Sequence, residues 1–397
     1  MPKSGLLSLA DNEATHLPRV LIRALRIRSV TPVLIVLAIC SIILWVKVVS
    51  PFVQEGRSAW SALNSESAAG GIFGVNKHSK FPGPVHVKTL DPNLLPRPTK
   101  EKTGSESGRK RLVFVGDIHG CREELEALLK KLRFDPSKDH IVALGDIVSK
   151  GPDTLGVIDL LRRYHASCVR GNHDDRLLLV AQSLRAQTSA THESFDSEKN
   201  TGRHKHDDPV ERLARSLSAA QLEYLQSCPI ILRIGEMKAF KGEAVAVHAG
   251  LVPGLALDLQ DPISAMNMRV LDLATHLPSH KHKLKGSVAW YKLWNKYQQL
   301  LSLHKRFRKH KGGRGSETQT TVIYGHNARE GLQIRKYTKG LDTGCVRGGK
   351  LTALVVDGDG RQEIVQVKAK KHTHRSSLQV DVLRDGGPEA PPSNKAG

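Results

Sequence analysis

The feature that most restricts what this chain can become is Val113-Phe114-Val115-Gly116-Asp117-Ile118-His119-Gly120, an apolar run that delivers an acid and an imidazole onto a glycine-framed turn. Positions i and i+2 of an extended segment point the same way, so Asp117 and His119 can meet one cation there. Asp-x-His on its own is common by chance. Here the pattern recurs: Gly145-Asp146 follows the apolar run His140 to Leu144, and Gly171-Asn172-His173-Asp174 follows Ala166 to Val169. Two more histidines close apolar runs, His248 after Ala244 to Val247 and His326 after Val322 to Gly325. Any one of these residues has an ordinary reading. An Asp after a strand is often a helix cap, and a lone His beside an apolar strand is usually a satisfied structural residue. Five such positions, each at a strand end, point instead to carboxylates, an amide oxygen and imidazoles converging on divalent metal. Zn suits that donor set, as do Mn, Co and Fe.

Between these turns the periodicity alternates. Arg111 to Val115, His140 to Leu144 and Ala166 to Val169 predict strands. Cys121 to Leu132, Asp153 to Tyr164 and Asp175 to Gln187 predict amphipathic helices. Strand-helix alternation is the signature of an α/β sheet, where ligands gather at the carboxyl ends of the strands. Further strands are expected at Ile230 to Ile234, Ala244 to His248, Thr320 to Tyr324, Leu351 to Asp357 and Glu363 to Val367. Ser218-Ala-Ala-Gln221 reads as a capping box opening another helix. The polar stretch 188–208 reads as an exposed insertion, and 273–316 as a basic insertion with eleven Lys or Arg and no acid.

The N-terminus carries a different signal. Val30 to Val46 contains no charge, and the apolar run continues past Lys47 to Val49, long enough to cross a bilayer. Arg19, Arg23, Arg26 and Arg28 precede it, so the positive-inside bias places residues 1–29 in the cytosol and the remainder across the membrane. On this reading 30–49 is a signal anchor, 50–109 a linker, 110–370 the folded domain and 371–397 a polar tail. Lys and Arg number 60 against 39 Asp and Glu, with 19 His in addition. Such a balance favours polyanionic partners: polyphosphate, nucleic acid or an anionic membrane surface. No recognised nucleic-acid-binding module accompanies it, so no specific nucleic acid is expected. The five cysteines, at 40, 121, 168, 228 and 345, form no CxxC pair and are expected to be buried free thiols, neither a disulfide framework nor a thiolate zinc site.

The ordered set Gly-Asp-x-His, Gly-Asp, Gly-Asn-His-Asp, His and Gly-His resembles the calcineurin-like metallophosphoesterase superfamily. That resemblance implies a four-layer α/β/β/α sandwich from about Lys110 to Val367. It also implies a centre of two divalent metals, most often zinc. Asp117, His119 and Asp146 would hold one metal; Asp146 would bridge to a second held by Asn172, His248 and His326. His173 would protonate the leaving oxygen while a water bridging the metals attacks phosphorus. Lys150 and Arg170 are the nearest expected phosphate contacts. Protein Ser/Thr phosphatases of this superfamily carry Asp and Arg where this chain has Ser149 and Lys150, which argues against a phosphoprotein substrate. The run Leu341-Asp342-Thr343-Gly344-Cys345-Val346-Arg347-Gly348-Gly349-Lys350 resembles the symmetrical bis(5′-nucleosyl)-tetraphosphatases. The anchor, Ser149-Lys150-Gly151-Pro152-Asp153 and Trp290-Tyr-Lys-Leu-Trp294 are similar to the membrane-anchored endopolyphosphatases of the same branch. The resemblance therefore implies hydrolysis within inorganic polyphosphate in a lumenal, vacuolar setting. A dinucleoside tetraphosphate is the alternative substrate, and a phosphoprotein a more remote one. Lys281, Lys283, Lys285, Lys305, Arg306, Arg308, Lys309 and Lys311 are expected to neutralise a long polyanion, while Trp290 and Trp294 are expected in the core.

Overall fold

The computed structural model describes residues 32–64, 85–96, 110–191, 208–240, 242–309 and 318–372, with side chains left undescribed at 59–64, 187–191 and 303–309. The expected N-terminus 1–29, nearly all of the insertion 188–208 and the tail beyond 372 lie outside the described residues. The chain divides into two compact units, Met1–Ser61 and Ala62–Gly397.

The first unit is helical. Pro32–Ser58 is long and apolar enough to cross a membrane, with a mean hydropathy of 2.7 over its most apolar window. Side chains such as Leu37, Ile42 and Leu44 are more than half exposed, as suits a surface awaiting an apolar solvent. A π-helical turn at Trp45–Val49 passes into regular helix at Ser50–Asn64. The linker expected from residue 50 therefore begins as helix, which runs through Pro51 and Gly56 to Asn64.

Among the described residues, fourteen strands build the second unit. Val87–Thr89 (β1), Ile231–Glu236 (β5), Glu243–Val247 (β6), Thr320–Tyr324 (β10), Gln333–Ile334 (β11) and Thr338–Gly340 (β12) form a six-stranded sheet in the order β1-β5-β6-β10-β12-β11. Arg111–Val115 (β2), Asp139–Ala143 (β3), Ser167–Cys168 (β4), Lys350–Asp357 (β13) and Gln362–Lys368 (β14) form a second sheet, β14-β13-β2-β3-β4. Val270–Asp272 (β7), Pro278–Ser279 (β8) and Ser287–Ala289 (β9) make a small third one. β2, β3 and β4 run parallel, with Val113 opposite Ile141 and Ala143 opposite Cys168, so their carboxyl ends and the turns that follow lie side by side. β6 and β10 are likewise parallel, Val245 opposite Val322.

The continuous apolar run of β2 is explained by burial on both faces. Leu112 and Phe114 join Val142, Leu232, Ile234, Ala246, Ile323 and Leu354 in one core lying between the two large sheets. Val113 and Val115 turn the other way. They pack against the helices Arg122–Lys131 (α1), Thr154–Arg163 (α2), Asn172–Thr191 (α3) and Ala219–Ser227 (α5), the last following the short Pro209–Ser216 (α4). Each fully buried Val, Leu or Phe contributes roughly 1.5–3 kcal/mol. The capping box at Ser218 and Gln221 forms as its sequence predicts.

Two boundaries need correction. β1 pairs in parallel with β5, and Leu90 joins the inter-sheet core, so the folded domain starts before residue 110; a three-residue strand is too short to show a period. Nor is 273–316 simply an insertion. After the short Pro262–Asn267 (α6), the 20-residue helix Trp290–Lys309 (α7) covers the outer face of the six-stranded sheet. Trp290 packs on Tyr324 at 4.8 Å between ring centroids, and the Trp294 indole N–H donates to the Thr320 carbonyl at 3.1 Å. The Asn295 side chain donates to Thr338 Oγ1 at 2.7 Å and accepts from the Tyr337 N–H at 2.9 Å. Both Trp residues are core, as expected. Of the expected polyanion contacts, Lys281, Lys283 and Lys285 are exposed, the side chains of Lys305, Arg306, Arg308 and Lys309 are not described, and Lys311 lies outside the described residues.

The expectation of free cysteines fails at one pair. Cys168 and Cys228 form a disulfide across a sequence separation of 60. The two meet only because β4 and the carboxyl end of α5 pack together, which no local spacing reveals. Cys121 and Cys345 are free and buried; Cys40 is free and exposed.

Candidate dinuclear metal centre

The turns after β2, β3, β4, β6 and β10 converge. His119, Asp146 and His326 adopt positive φ, 48°, 47° and 68°, and Ser149 and Lys150 adopt 71° and 67°. Side chains avoid that region unless their surroundings impose it, and it concentrates at functional sites. Gly145 and Gly171 allow the close approach: a Cβ on Gly145 would sit 2.8 Å from His248 Nδ1, and one on Gly171 would collide with Asp146. Asn172 and His173 occupy the first turn of α3, which starts three residues earlier than the periodicity predicts. The polar motif hides that turn from an apolar-period reading.

Asp146 lies at the centre. Its Oδ2 is 3.3 Å from His119 Nε2, its Oδ1 is 3.3 Å from His248 Nε2, and Oδ1 accepts the His173 N–H at 3.0 Å. Two groups of donor atoms, each mutually within 4.8 Å, share this residue: His119, Asp146 and His173, and Asp146, His248 and His326. Asn172 Oδ1 is 3.2 Å from His248 Nε2.

The hydrogen bonds fix which ring nitrogens face the centre. His248 Nδ1 is 2.7 Å from the Leu144 carbonyl, His119 Nδ1 is 3.1 Å from that of Val148, and His326 Nε2 is 3.1 Å from that of Asn267. Donating to a carbonyl protonates that nitrogen and leaves the other one bare. His248 Nε2 then meets His326 Nδ1 at 3.2 Å, with Asp146 and Asn172 oxygens at similar range. Lone pairs aimed at one another repel unless a cation lies among them, so the donor set fits a divalent metal at this position. A proton on His248 is the other way to relieve them. Burial opposes charging that imidazole, but Asp146 outweighs it and raises His248 to about 10. Asp146 itself is held well below the usual carboxylate range, because His248 and His119 outweigh its burial.

Asp117 occupies a neighbouring position. Its Oδ1 accepts the His326 N–H at 2.9 Å, and burial followed by the nearby Asp342 pushes its carboxyl well above the usual range. Asp342 is buried and hydrogen-bonded to Asp117. Two buried carboxyls that cannot both ionise comfortably mark a second place suited to positive charge. Asp117 stands outside the two tight donor groups, whereas His173, expected as the acid, falls within one; its ring packs edge-on against His119 at 5.1 Å. Burial lowers His173 to about 4 and His119 to about 3.

Lys150 enters the site, its ammonium donating to His119 Nε2 at 2.9 Å. Arg170 does not present a free fork: it is buried, its guanidinium 3.4 Å from Asp175 and donating to the Gln226 carbonyl at 3.0 Å. Besides Asp342, three residues outside the expected set contribute. Asp174 is buried and binds the turns together, accepting from Ile147, Val148 and Gly171. Arg269, half-buried, feels Asp342, Asp117 and Asp146, and the exposed Arg347 faces Lys150 and Arg269 electrostatically. Asp174 and Asp342 lie within motifs already conspicuous in the sequence. Arg269 carries no sequence signal.

Residues 110–348 match the family described as calcineurin-like phosphoesterase. The zinc-dependent endopolyphosphatase of Saccharomyces cerevisiae is 29% identical over 284 residues, covering 65% of this chain and 81% of that protein. The symmetrical bis(5′-nucleosyl)-tetraphosphatase of Nitrosospira multiformis is 28% identical over 275 residues, covering 61% and 91%. A crystal structure of a candidate diadenosine tetraphosphatase superposes with a TM-score of 0.50 at 30% identity, over 72% of this chain and 99% of the other. The strand-end donors and the match over most of the second unit agree, and the chain belongs to the calcineurin-like phosphoesterases.

Proposed function

We propose that this protein is a two-metal endopolyphosphatase, cutting phosphoanhydride bonds inside inorganic polyphosphate, with zinc as its preferred metal. The observation that carries the reading is the pair of donor groups sharing Asp146, beside a cationic rim of Lys150, Arg269 and Arg347. When bound, two divalent cations would offset phosphate charge and lower the pKa of a bound water. Asp117, His119 and Asp146 would hold one, and Asp146, Asn172, His248 and His326 the other, in an α/β/β/α sandwich. His173 would give a proton to the leaving oxygen; the anionic substrate must first raise its pKa towards neutrality. Lys150, Arg269 and Arg347 would bind the flanking phosphates. Arg170 would support α3 and the Gly171 turn rather than touch substrate.

The tetraphosphatase relatives favour a second reading, a dinucleoside tetraphosphate substrate, which needs a platform for a base. Trp290 and Trp294, the conspicuous aromatics of the basic stretch, are buried against the sheet and supply none. Ser149-Lys150 disfavours a phosphoprotein. Pro32–Ser58 would anchor the chain in a membrane with the catalytic unit in the lumen, in keeping with a vacuolar site and an oxidised Cys168–Cys228 pair.

The test offers the purified full chain, with Zn, Mn or Co, long-chain polyphosphate, diadenosine tetraphosphate and a phosphopeptide. Intermediate chain lengths are expected early in the reaction. Stepwise release of orthophosphate alone, or a preference for the dinucleotide, overturns the assignment.

A further inference from the structure

A second cluster of metal donors lies against the turn that carries His119, with Cys121 Sγ 3.8 Å from the His119 carbonyl. Cys121, Glu124 and Cys345 are all buried, and their sulfur and carboxylate atoms lie within 4.8 Å of one another. His372 lies beside them, outside that mutual range: its Nε2 is 3.6 Å from Glu124 Oε1 and, though the atom is buried, has no hydrogen-bond partner, so its imidazole would swing in to complete the set. Glu124 is 5% exposed, and its Oε1 also accepts the Lys370 N–H at 3.1 Å. We propose that Cys121, Cys345, Glu124 and His372 form a structural site for a borderline-soft divalent cation such as Zn, independent of the two catalytic metals.

The donor chemistry is the first argument. Two thiolates, one imidazole nitrogen and one carboxylate oxygen are all zinc ligands, and four of them match the coordination number of its closed, non-catalytic sites. Hard cations avoid thiolate. Binding displaces two thiol protons to solvent and leaves one divalent cation facing two thiolates and one carboxylate, with His372 neutral; no electron is transferred. The bland occupant of a close cysteine pair is a disulfide between Cys121 and Cys345. That bond would explain the sulfurs but not why a buried carboxylate, held by one backbone N–H, and an imidazole nitrogen without a hydrogen bond stand next to them. A metal uses all four.

Connectivity is the second argument. Cys121 precedes the first residue of α1, two residues after His119, and Glu124 lies in that helix's first turn. Cys345 lies three residues after Asp342, the partner of Asp117. His372 follows β14, where an antiparallel bridge pairs Lys371 with Arg347 and the His372 N–H donates to the Val346 carbonyl at 3.1 Å. A cation here would therefore fasten the β2 turn, the Asp342 turn and the C-terminal extension at one point. Its role is to hold the backbone of the Asp117 turn and of the Asp342 turn in fixed relation, which loops joined by hydrogen bonds alone do less firmly.

The test uses the full chain carrying Cys40→Ser, so that Cys121 and Cys345 are the only free thiols, loaded with zinc. X-ray absorption at the zinc edge should show sulfur scatterers at about 2.3 Å. Metal analysis should give one zinc per chain more than the same chain carrying Cys345→Ser, in which the sulfur shell should be lost or halved. His372→Ala and Glu124→Gln, milder changes should the cysteine variant fail to fold, should weaken retention of the sulfur-bound zinc against a chelator at least about tenfold. A nitrogen and oxygen shell alone, or peptide mapping that finds Cys121 joined to Cys345 in freshly purified protein, overturns the proposal.

Discussion

Asp174→Ala should be far more damaging than the removal of one partly remote acid suggests. Its Oδ1 accepts the N–H groups of Ile147 at 3.0 Å and Val148 at 3.1 Å, and its Oδ2 accepts that of Gly171 at 2.9 Å. One carboxyl, 1% exposed, thus joins the turn carrying Asp146 to the turn carrying Asn172. Alanine leaves three buried donors unpaired, at about 1–3 kcal/mol each. Against that, removing a buried acid recovers part of its desolvation cost, and water entering the vacated space would satisfy one donor. The net expectation is a loss of about 3–5 kcal/mol, or a fall in midpoint of roughly 10 °C. Thermal unfolding of the full chain in mild detergent, with metal removed by chelator, measures it. Asp174→Asn is the sharper control. Its carbonyl oxygen can still serve Ile147 and Val148, but its amide faces the Gly171 N–H donor to donor, so about half the loss should remain. Zinc affinity should fall with stability in both variants, because Asp146 and Asn172 are no longer held together. A midpoint within about 2 °C of the parent for Asp174→Ala would refute the brace.

Asp146→Asn should reduce turnover at least about a thousandfold with every substrate and lower zinc content, since both donor groups use that residue. Arg269→Gln should raise KM for long polyphosphate about tenfold or more with little change in thermal midpoint. Arg170→Gln should do the reverse, because its guanidinium is engaged by Asp175 and Gln226. Reducing Cys168–Cys228 should cost about 4 kcal/mol through loop-closure entropy over the separation of 60 residues, read as a lower midpoint after mild reduction. The metal-free chain should lose stability as pH falls from about 6.5 to about 4, where burial keeps His119, His140 and His173 neutral in the fold while the unfolded chain takes up their protons. His248 acts oppositely: raised to about 10, it contributes stability at and below pH 6.5 that is lost as pH rises through 10. His140→Gln, away from the metal donors, should make the acid slope shallower by one proton; an unchanged slope would exclude its part.

What could be read in advance was whatever leaves a local trace. Strand ends repeat a glycine-acid pattern, so Asp117, His119, Asp146, Asn172, His173, His248 and His326 were legible together; β10 matches its predicted span residue for residue, two β-branched threonines leading into the buried Val322-Ile323-Tyr324. Interactions that depend on distant segments meeting were not legible. Cys168 and Cys228 have no motif, Arg269 is one more Arg in a basic chain, and β1 is three residues long. The same distinction bears on the metal centre itself. Strand alternation alone grants Asp117 and His119 an equal claim on one cation, because it puts them on one face. In the fold the strand ends at Val115, ahead of both residues, and the polypeptide turns at His119, with φ at 48°, so the alternation that paired them does not hold. His119 moves to Asp146 and His173, while Asp117 moves to Asp342 and the His326 backbone. A cation drawn to both would have to pull the Asp117 carboxyl away from Asp342 and displace the Lys150 ammonium from His119 Nε2. The acid pair and the lysine thus mark the charges that metal binding would reorganise. Lys150, displaced in that way, is left free to face a phosphate.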